Sequence, residues 1–338
     1  MASPDIIVVG ASAGGVEALR TLAAGLPADL PASVLVVLHV PRASPSALPA
    51  ILRRVCPLPV RAAVDGEPLR HGRIYVARAD HHLLVIDGYI RLSRGPAENG
   101  HRPAIDPLFR SAARGHGPRV IGVVLSGTRG DGATGLLTIA RQGGATIVQD
   151  PEDAIFPFMP QAALDQVTAD HVVPVAKIGP LLGELTTLTV PDQFGPAPDQ
   201  ALAMEVAMAE LAPVTAEDLP GRPAGYGCPA CGGSLFEVQS EPAPRYRCRV
   251  GHAWSAESLL EEQTAGLEGA LWMALRALEE KASLSERMAA TARVRGQEHV
   301  SARYKGTAQE AEEAGALIRR LIDRIGAVSN GRAAQPTP

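Results

Sequence analysis

A serine stands in a glycine-rich segment directly after the first β-branched run of the chain. Residues 10–15 read Gly-Ala-Ser-Ala-Gly-Gly and follow Ile6–Val9. This pattern predicts a strand, a sharp turn that exposes Ser12, and a helix from Val16. A hydroxyl in that position could be a nucleophile, with amides of the helix N-terminus stabilising an oxyanion. Alternatively Ser12 caps the helix, or the loop holds a nucleotide phosphate, although Ala13 breaks the G-x-G-x-x-G register.

Two further polar residues follow predicted strands in the same way. His39 closes the apolar run from Val34, and Asp131 follows the run from Val120 through a glycine-rich loop. Parallel strands bring their carboxyl ends to one edge of a sheet, so we expect all three side chains at that edge. An activated serine needs a base and a carboxylate that orients this base. Taken singly, His39 also fits a structural histidine and Asp131 a helix N-cap.

The first 190 residues have the pattern of an α/β protein. Short β-branched runs alternate with Ala/Leu-rich stretches, which is typical of a doubly wound, largely parallel sheet covered by helices on both faces. The pair Asp87-Gly88 predicts a β-hairpin and, with it, a mixed sheet. The predicted strands are Ile6–Val9, Val34–His39, Arg73–Val76, Val120–Ser126, Ala145–Gln149 and His171–Val175, and the hairpin arms are His82–Ile86 and Tyr89–Ser93.

Several ordered motifs in this part resemble the catalytic domain of the chemotaxis protein-glutamate methylesterases, the CheB family. The motifs are residues 9–15, 39–41, 80–84, 102–109, 126–132 and 159–160. The resemblance implies a hydrolase that cleaves glutamyl methyl esters on chemoreceptor-like proteins. It assigns Ser12 as nucleophile, His39 as general base and Asp131 as orienting carboxylate. The same groups would serve deamidation of protein glutamine, which the resemblance leaves open.

The resemblance extends to two other residues, and the chain also departs from the family pattern in places. It implies that Arg102 and Asp106 help to bind substrate, whereas Asp106 before Pro107 also suits the start of a helix. Thr128 and Arg129 stand in the loop before the aspartate, where the family often has other residues. Because the first strand begins almost at the first residue, a receiver-less form is expected, without the N-terminal phosphorylation receiver usual in the family.

Four potential metal ligands lie further along the chain. Cys228 and Cys231 form a C-x-x-C pair, and Cys248 and His252 form a C-x-x-x-H pair. Three thiolates and one imidazole suit tetrahedral zinc, and four protein ligands predict a structural site in a zinc-ribbon-like module. A redox C-x-x-C pair is the alternative, but it would not need the second pair. No cofactor is expected for catalysis.

These patterns divide the chain into five parts. We expect a catalytic domain at 1–190, a Pro-rich linker at 191–223, the zinc-ribbon-like module at 224–254, a helical hairpin at 255–328 and a disordered tail at 329–338. Apolar residues at helical spacing predict the hairpin, with a break near Gly296 or Gly306. Its apolar stripe suggests self-association or a signalling partner.

Composition narrows the function classes. A net charge of −4 without a basic stripe does not indicate a nucleic-acid partner. Pro, Gly or charge interrupts every apolar stretch, so no membrane insertion is expected, and the N-terminus has no signal-peptide pattern, which favours a cytoplasmic protein. Besides the esterase, two alternatives remain: a catalytically silent scaffold or signalling-complex binding protein, and a nucleotide-binding regulator.

Overall fold

A parallel sheet forms the centre of the first of two compact units, Met1–Leu259. The computed structural model describes residues 2–43, 46–191, 200–212, 221–238 and 243–329. Up to residue 173 the strands are β1 (Ile6–Ala11), β2 (Ser33–Leu38), β3 (Val60–Ala62), β4 (Arg73–Val76), β5 (His82–Ile86), β6 (Tyr89–Ser93), β7 (Val120–Val124), β8 (Ala145–Gln149) and β9 (His171–Val173). Seven of them form one sheet in the order β3-β4-β2-β1-β7-β8-β9, and all neighbouring pairs in it are parallel.

Helices cover both faces of this sheet. They are α1 (Gly15–Ala24), α2 (Leu48–Leu52), α3 (Ile105–His116), α4 (Ala133–Arg141), α5 (Phe158–Gln166) and α6 (Val175–Leu185), with a 3-10 turn at Gly117–Arg119. Side chains of a strand alternate between faces, so Ile7 and Val9 pack with α1, α2 and α6. Ile6 and Val8 pack with α3, α4 and α5. The expected doubly wound α/β fold is therefore present.

Two details differ from the sequence-based expectations. The prediction of a mixed sheet is wrong, because β5 and β6 form a separate two-stranded antiparallel sheet. The amide of Val85 donates to the hydroxyl of Ser111 on α3 (3.1 Å), so the hairpin lies over the helix layer rather than at the edge of the central sheet. The last predicted strand ends at Val173, because Pro174 caps α6 and cannot donate to a strand partner.

A small antiparallel sheet carries the three cysteines and the histidine that the sequence predicts as metal ligands. Its strands are β10 (Arg222–Gly227), β11 (Ser234–Val238), β12 (Arg245–Cys248) and β13 (Ala253–Ser255). Helix α7 (Gln200–Ala209) precedes it, inside the segment expected to be a linker. We call the four-stranded sheet and its loops the metal module. Its own core consists of Cys228, Leu235, Cys248, Trp254 and Leu259.

Five buried charged side chains attach α7 and the metal module to α3. Arg110 of α3 contacts Glu98 at 2.6 Å, and Arg245 of β12 contacts Glu205 of α7 at 2.6 Å. Arg247 reaches both carboxylates, at 3.2 and 3.4 Å. Burial opposes ionisation of the two glutamates, yet the three arginines hold the pKa of each below its ordinary value. The five side chains are therefore ionised, and their ion pairs join α3, α7 and the metal module.

Two long helices make up the described part of the second unit. Helix α8 (Ala256–Val294) continues from the first unit, and α9 (Glu298–Ser329) follows a turn at Gly296, whose φ is 71°. The hydroxyl of Ser301 donates to the carbonyl of Ala289 at 2.9 Å, and Arg319 pairs with Glu279, so the helices run antiparallel. None of the described helices has the length and apolar character needed to span a membrane.

The expected boundaries fall partly outside the described residues. Residues 192–199 and 213–220 of the expected linker and residues 330–338 of the expected tail are among those that are not described. Gly306 lies inside α9, so of the two expected break points the structure has the first.

The buried cluster predicts a large stability effect. Glu205→Gln should lower the free energy of unfolding by about 3–5 kcal/mol, because it leaves buried arginines short of a counter-charge. The measurement is urea unfolding followed by the fluorescence of Trp254, which is buried in the metal module. The protein also carries Trp272→Phe, so that Trp254 is the only fluorescent tryptophan. Glu237→Gln is the matched control, because Glu237 pairs with the exposed Arg222 and should change little. Equal effects of the two substitutions would contradict the prediction.

Candidate active site

Three neighbouring strands bring the predicted site residues together. Ser12 follows β1, His39 follows β2, and Asp131 follows β7 through the loop 125–132. The strands β2, β1 and β7 are adjacent and parallel, so their carboxyl ends meet where the strand order reverses. The amide of Ser12 donates to the carbonyl of Ser126 (2.9 Å), which ties the first loop to the third.

The three side chains form a hydrogen-bonded chain. Nδ1 of His39 lies 3.0 Å from Oγ of Ser12, and Nε2 of His39 lies 2.8 Å from Oδ2 of Asp131. The side chain of His39 is 5% exposed and that of Asp131 is 0% exposed. With Asp131 ionised, Nε2 carries the proton and Nδ1 is free to accept the serine proton. The arrangement can thus generate a nucleophile.

Glycines allow the sharp turns beside two of these residues. Gly14 has φ +70°, and a Cβ there would lie 2.7 Å from Oγ of Ser126. Gly132 has φ +95°, and a Cβ there would lie 2.8 Å from Cγ2 of Ile105. Both residues are N-caps, of α1 and α4, so each loop turns directly into a helix. Any side chain at these positions would displace the loop that carries Ser12 or Asp131.

Asp131 receives hydrogen bonds from four donors. Besides His39, they are the amide of Ile105 to Oδ2 (2.7 Å), the side-chain amide of Asn99 to Oδ1 (3.0 Å) and the amide of Asp106 to Oδ1 (3.3 Å). Burial alone would raise the pKa of Asp131. The hydrogen bond and charge of His39, together with the Ile105 amide, outweigh burial and hold this pKa well below its ordinary value. Asp131 is therefore an anion in fixed orientation.

The other two residues implied by the resemblance have structural contacts. Asp106 lies buried in the first turn of α3, and its Oδ1 accepts from the amides of Gly135 (2.7 Å) and Gly132 (3.1 Å). Burial and the charge of Asp131 raise its pKa to about 7. Arg102 contacts Asp80 at 2.6 Å. Asp106 thus supports the Asp131 loop from an enclosed position, and a role for it in substrate binding stays a prediction.

A second histidine contacts the candidate base. The ring of His101 stacks on that of His39, with centroids 3.7 Å apart and planes 12° apart. Burial and the neighbouring charge of His39 lower the pKa of His101 to about 3, so the ring stays neutral when His39 accepts a proton. The sequence shows His101 only as one of several scattered histidines. Neither it nor Asn99 is predicted from the sequence, since their contacts with the triad arise from the path of the loop 94–104.

The four cysteine and histidine ligands also meet. Their ligand atoms all lie within 4.8 Å of one another, with Sγ of Cys231 3.7 Å from Sγ of Cys248 and Sγ of Cys248 3.6 Å from Nδ1 of His252. Tetrahedral zinc with ordinary bond lengths would separate two sulfurs by about 3.8 Å and a sulfur and a nitrogen by about 3.6 Å. Burial lowers the pKa of His252, which favours the neutral form that binds metal. The group can hold a metal ion.

The protein has a parallel α/β sheet, and a serine, a histidine and an aspartate are hydrogen-bonded to one another at the carboxyl ends of its strands. This arrangement is a triad of the type found in hydrolases. The family model described as CheB methylesterase matches residues 7–182, just over half of the chain. The chain belongs to this family.

Relatives and a solved structure agree with this assignment. A protein-glutamate methylesterase/protein-glutamine glutaminase of Anaeromyxobacter dehalogenans is 41% identical over 182 residues, which are 54% of this chain and 53% of that protein. One of Xanthomonas euvesicatoria is 41% identical over 177 residues, 51% and 49% of the two chains. The chain thus spans about half the length of these relatives. The crystal structure of the Thermotoga maritima CheB methylesterase catalytic domain is similar with a TM-score of 0.52 and 33% identity, covering 54% of this chain and 99% of that one.

The histidine stack predicts a pH dependence of stability. Unfolded His101 binds a proton near pH 6.5, whereas folded His101 stays neutral down to about 3. The unfolded state therefore binds more protons in this window, and the free energy of unfolding should fall as the pH drops from 6.5 towards 4. His101→Phe keeps a flat ring on His39 but cannot titrate, so its stability should fall less. Urea unfolding at pH 6.5 and 4.5 measures the loss of stability, and His299→Phe, at an exposed position, is the control. Equal losses of stability in the two variants would contradict the prediction.

Proposed function

We propose that the protein is a protein-glutamate methylesterase that hydrolyses glutamyl methyl esters through Ser12, His39 and Asp131. The observation that carries this proposal is the continuous hydrogen-bonded chain from the serine hydroxyl to a buried, ionised carboxylate. Membership of the CheB methylesterase family supports the same reaction. A catalytically silent scaffold would have no need of this arrangement.

The reaction follows from the positions of the atoms. Oγ of Ser12 attacks the ester carbonyl while Nδ1 of His39 takes the hydroxyl proton, and Asp131 stabilises the resulting imidazolium. Amides beside Ser12 in the turn before α1 are suited to the oxyanion, whereas the first amide of α1, that of Gly15, donates to the carbonyl of Ser12 at 2.8 Å. The methoxide takes the proton from His39 and leaves as methanol. Water then attacks the acyl-enzyme with His39 again as base, releasing the glutamate side chain and Ser12.

The same steps accommodate a glutamine side chain. Attack on its amide would form the same acyl-enzyme, with ammonia leaving in place of methanol. The names of the relatives from Anaeromyxobacter dehalogenans and Xanthomonas euvesicatoria carry both activities. We therefore propose glutamine deamidation as a second reaction of this site.

A protein substrate suits the surface beside the nucleophile. A Cβ on Gly14 would lie 2.9 Å from Cβ of Ile155, so the segment 155–158 borders the Ser12 loop. Ile155 and Phe158 are 60% and 65% exposed, an apolar surface that a folded partner could cover. We propose a methylated chemoreceptor-like protein as this partner.

The proposal also covers the metal module and the second unit. We propose that Cys228, Cys231, Cys248 and His252 hold one structural zinc ion, because four protein ligands leave no position open for substrate. The exposed apolar residues Leu267 and Trp272 of α8 support self-association or a signalling partner at the second unit.

Removal of the nucleophile tests the reaction. Ser12→Ala should abolish methanol release from a methylated chemoreceptor cytoplasmic fragment while leaving the circular dichroism spectrum unchanged. Asp131→Asn and His39→Ala should each reduce kcat by orders of magnitude, and double variants should not multiply the losses, because the three residues act as a unit. Wild-type-like methanol release by Ser12→Ala would refute the assignment.

Metal analysis tests the second site. Protein purified without chelators should contain about one zinc ion per chain by elemental analysis. Cys231→Ser should lose most of it, because this substitution removes one ligand of four. Cys56→Ser, at a cysteine outside the group, should retain it. A metal content near zero in the wild-type protein, or equal contents in the two variants, would count against the site.

A further inference from the structure

One short loop contacts both the metal module and the candidate triad. Residues 94–104 connect β6 to α3 and pass between β13 and the Asp131 loop. The carbonyl of Ala97 accepts from the amide of Ala253 (3.4 Å), and the amide of Asn99 donates to the carbonyl of Ala253 (2.8 Å). The loop therefore extends the sheet of the metal module by a parallel bridge at Glu98.

The side chain of Asn99 spans the gap between module and triad. The amide of Ser255 donates to its Oδ1 at 2.8 Å, and its Nδ2 donates to Oδ1 of Asp131 at 3.0 Å. A backbone N–H only donates, so Ser255 requires the oxygen of the Asn99 side chain on its own side. This contact leaves the NH₂ group facing Asp131. The metal module thereby selects the orientation in which Asn99 stabilises the anion.

The metal ligands flank the residues that make these contacts. Arg247, next to Cys248, contacts Glu98 at 3.2 Å and donates to the carbonyl of Gly251 at 2.8 Å. The amide of Cys248 donates to the carbonyl of His252 at 3.0 Å, and β13 begins at the following residue. A metal ion bound by Cys248 and His252 would therefore hold the turn that lies between the arginine that anchors Glu98 and the strand that orients Asn99.

A second contact reaches the loop that carries Asp131. A Cβ on Gly130, the residue before Asp131, would lie 3.7 Å from Oγ of Ser255. The same hydroxyl accepts from the amide of Ser258 at 3.1 Å at the start of α8. Ser255 thus lies against the Asp131 loop as well as against Asn99.

We propose that Asn99 is a positioning residue for the Ser12–His39–Asp131 triad, and that metal binding by Cys228, Cys231, Cys248 and His252 controls the reaction through it. The inference rests on the proposed function of the triad. Without metal, the turn 248–252 loses the centre that holds it, the amide of Ser255 moves away from Asn99, and Asp131 loses an oriented donor. His39 is then held less firmly against Ser12. The metal site would act on catalysis without contacting substrate.

The test uses the full chain and a substitution that spares the backbone. Asn99 has φ 51°, a conformation that favours glycine, so Asn99→Gly removes the side chain without adding strain. The matched control is Asp87→Gly, which makes the same kind of change at φ 49° in the hairpin turn. Loss of a hydrogen bond to a charged group should lower kcat for a small methyl ester about 10- to 100-fold, with KM changed less than about 3-fold. The control should leave both constants at wild-type values.

Metal removal should act through the same residue. A chelator has access to the exposed Cys231. Treatment should lower kcat and the rate at which a fluorophosphonate labels Ser12 about 10-fold or more in the wild type, but less than about 3-fold in Asn99→Gly. Hydrogen–deuterium exchange should rise in peptides that cover residues 95–104 when metal leaves, and readdition of zinc should reverse it. A purely structural role would give additive losses.

The outcomes distinguish a failure of the positioning role of Asn99 from a failure of the proposed function. If Asn99→Gly retains wild-type kcat and labelling, or if metal removal lowers both equally in wild type and Asn99→Gly, the positioning role is wrong while the triad stands. If the metal-loaded wild type neither cleaves the ester nor labels at Ser12, the proposed function fails and this inference fails with it. Loss of zinc from Asn99→Gly would also overturn the inference, because the substitution would then act through the module.

Discussion

The carboxylate of Asp131 is completely buried and must obtain every hydrogen bond from the protein. A buried anion without such donors would be protonated or would destabilise the fold. Its donors come from three places: the end of β2 through His39, the first turn of α3 through Ile105 and Asp106, and the loop 94–104 through Asn99. That loop and the first turn of α3 therefore meet at one buried charge, and the same charge accepts a hydrogen bond from His39.

A second buried set of charges extends this constraint towards the metal module. Glu98 lies next to Asn99 in the chain and forms ion pairs with Arg110 and Arg247. Ions removed from water are costly unless every one has partners, so such clusters specify one arrangement more than they add stability. Here that arrangement is the docking of β12 and β13 beside the loop that supports Asp131. The electrostatics of the triad and the attachment of the module are thus adjacent parts of one structure.

The sequence predicted the parallel strands and the meeting of Ser12, His39 and Asp131 at one edge of their sheet, because both depend on local patterns. Ser12, His39 and Asp131 each follow an apolar run, and parallel strands must bring such positions to one edge. The hairpin turn at Asp87-Gly88 was equally clear from its residues. Asn99 and His101 could not be found in this way, because they lie in a segment rich in Gly and Pro without periodicity. Asn99 contacts Asp131, more than 30 positions away in the chain, and Ser255, more than 150 positions away, and His101 stacks on the distant His39.

The compact unit that contains Ser12, His39 and Asp131 does not end at Pro191. Composition changes at Pro191, and a Pro-rich segment usually runs over the surface between domains. The buried charges contradict a simple division there, since Arg110 of α3 depends on Glu205 and Glu98 depends on Arg247. A chain ending near residue 190 would expose Glu98 and Arg110 to solvent, with Asp106 as the other carboxylate near Arg110, and would lack the amide of Ser255 that donates to Asn99. The compact unit that contains Asp131 accordingly extends to Leu259.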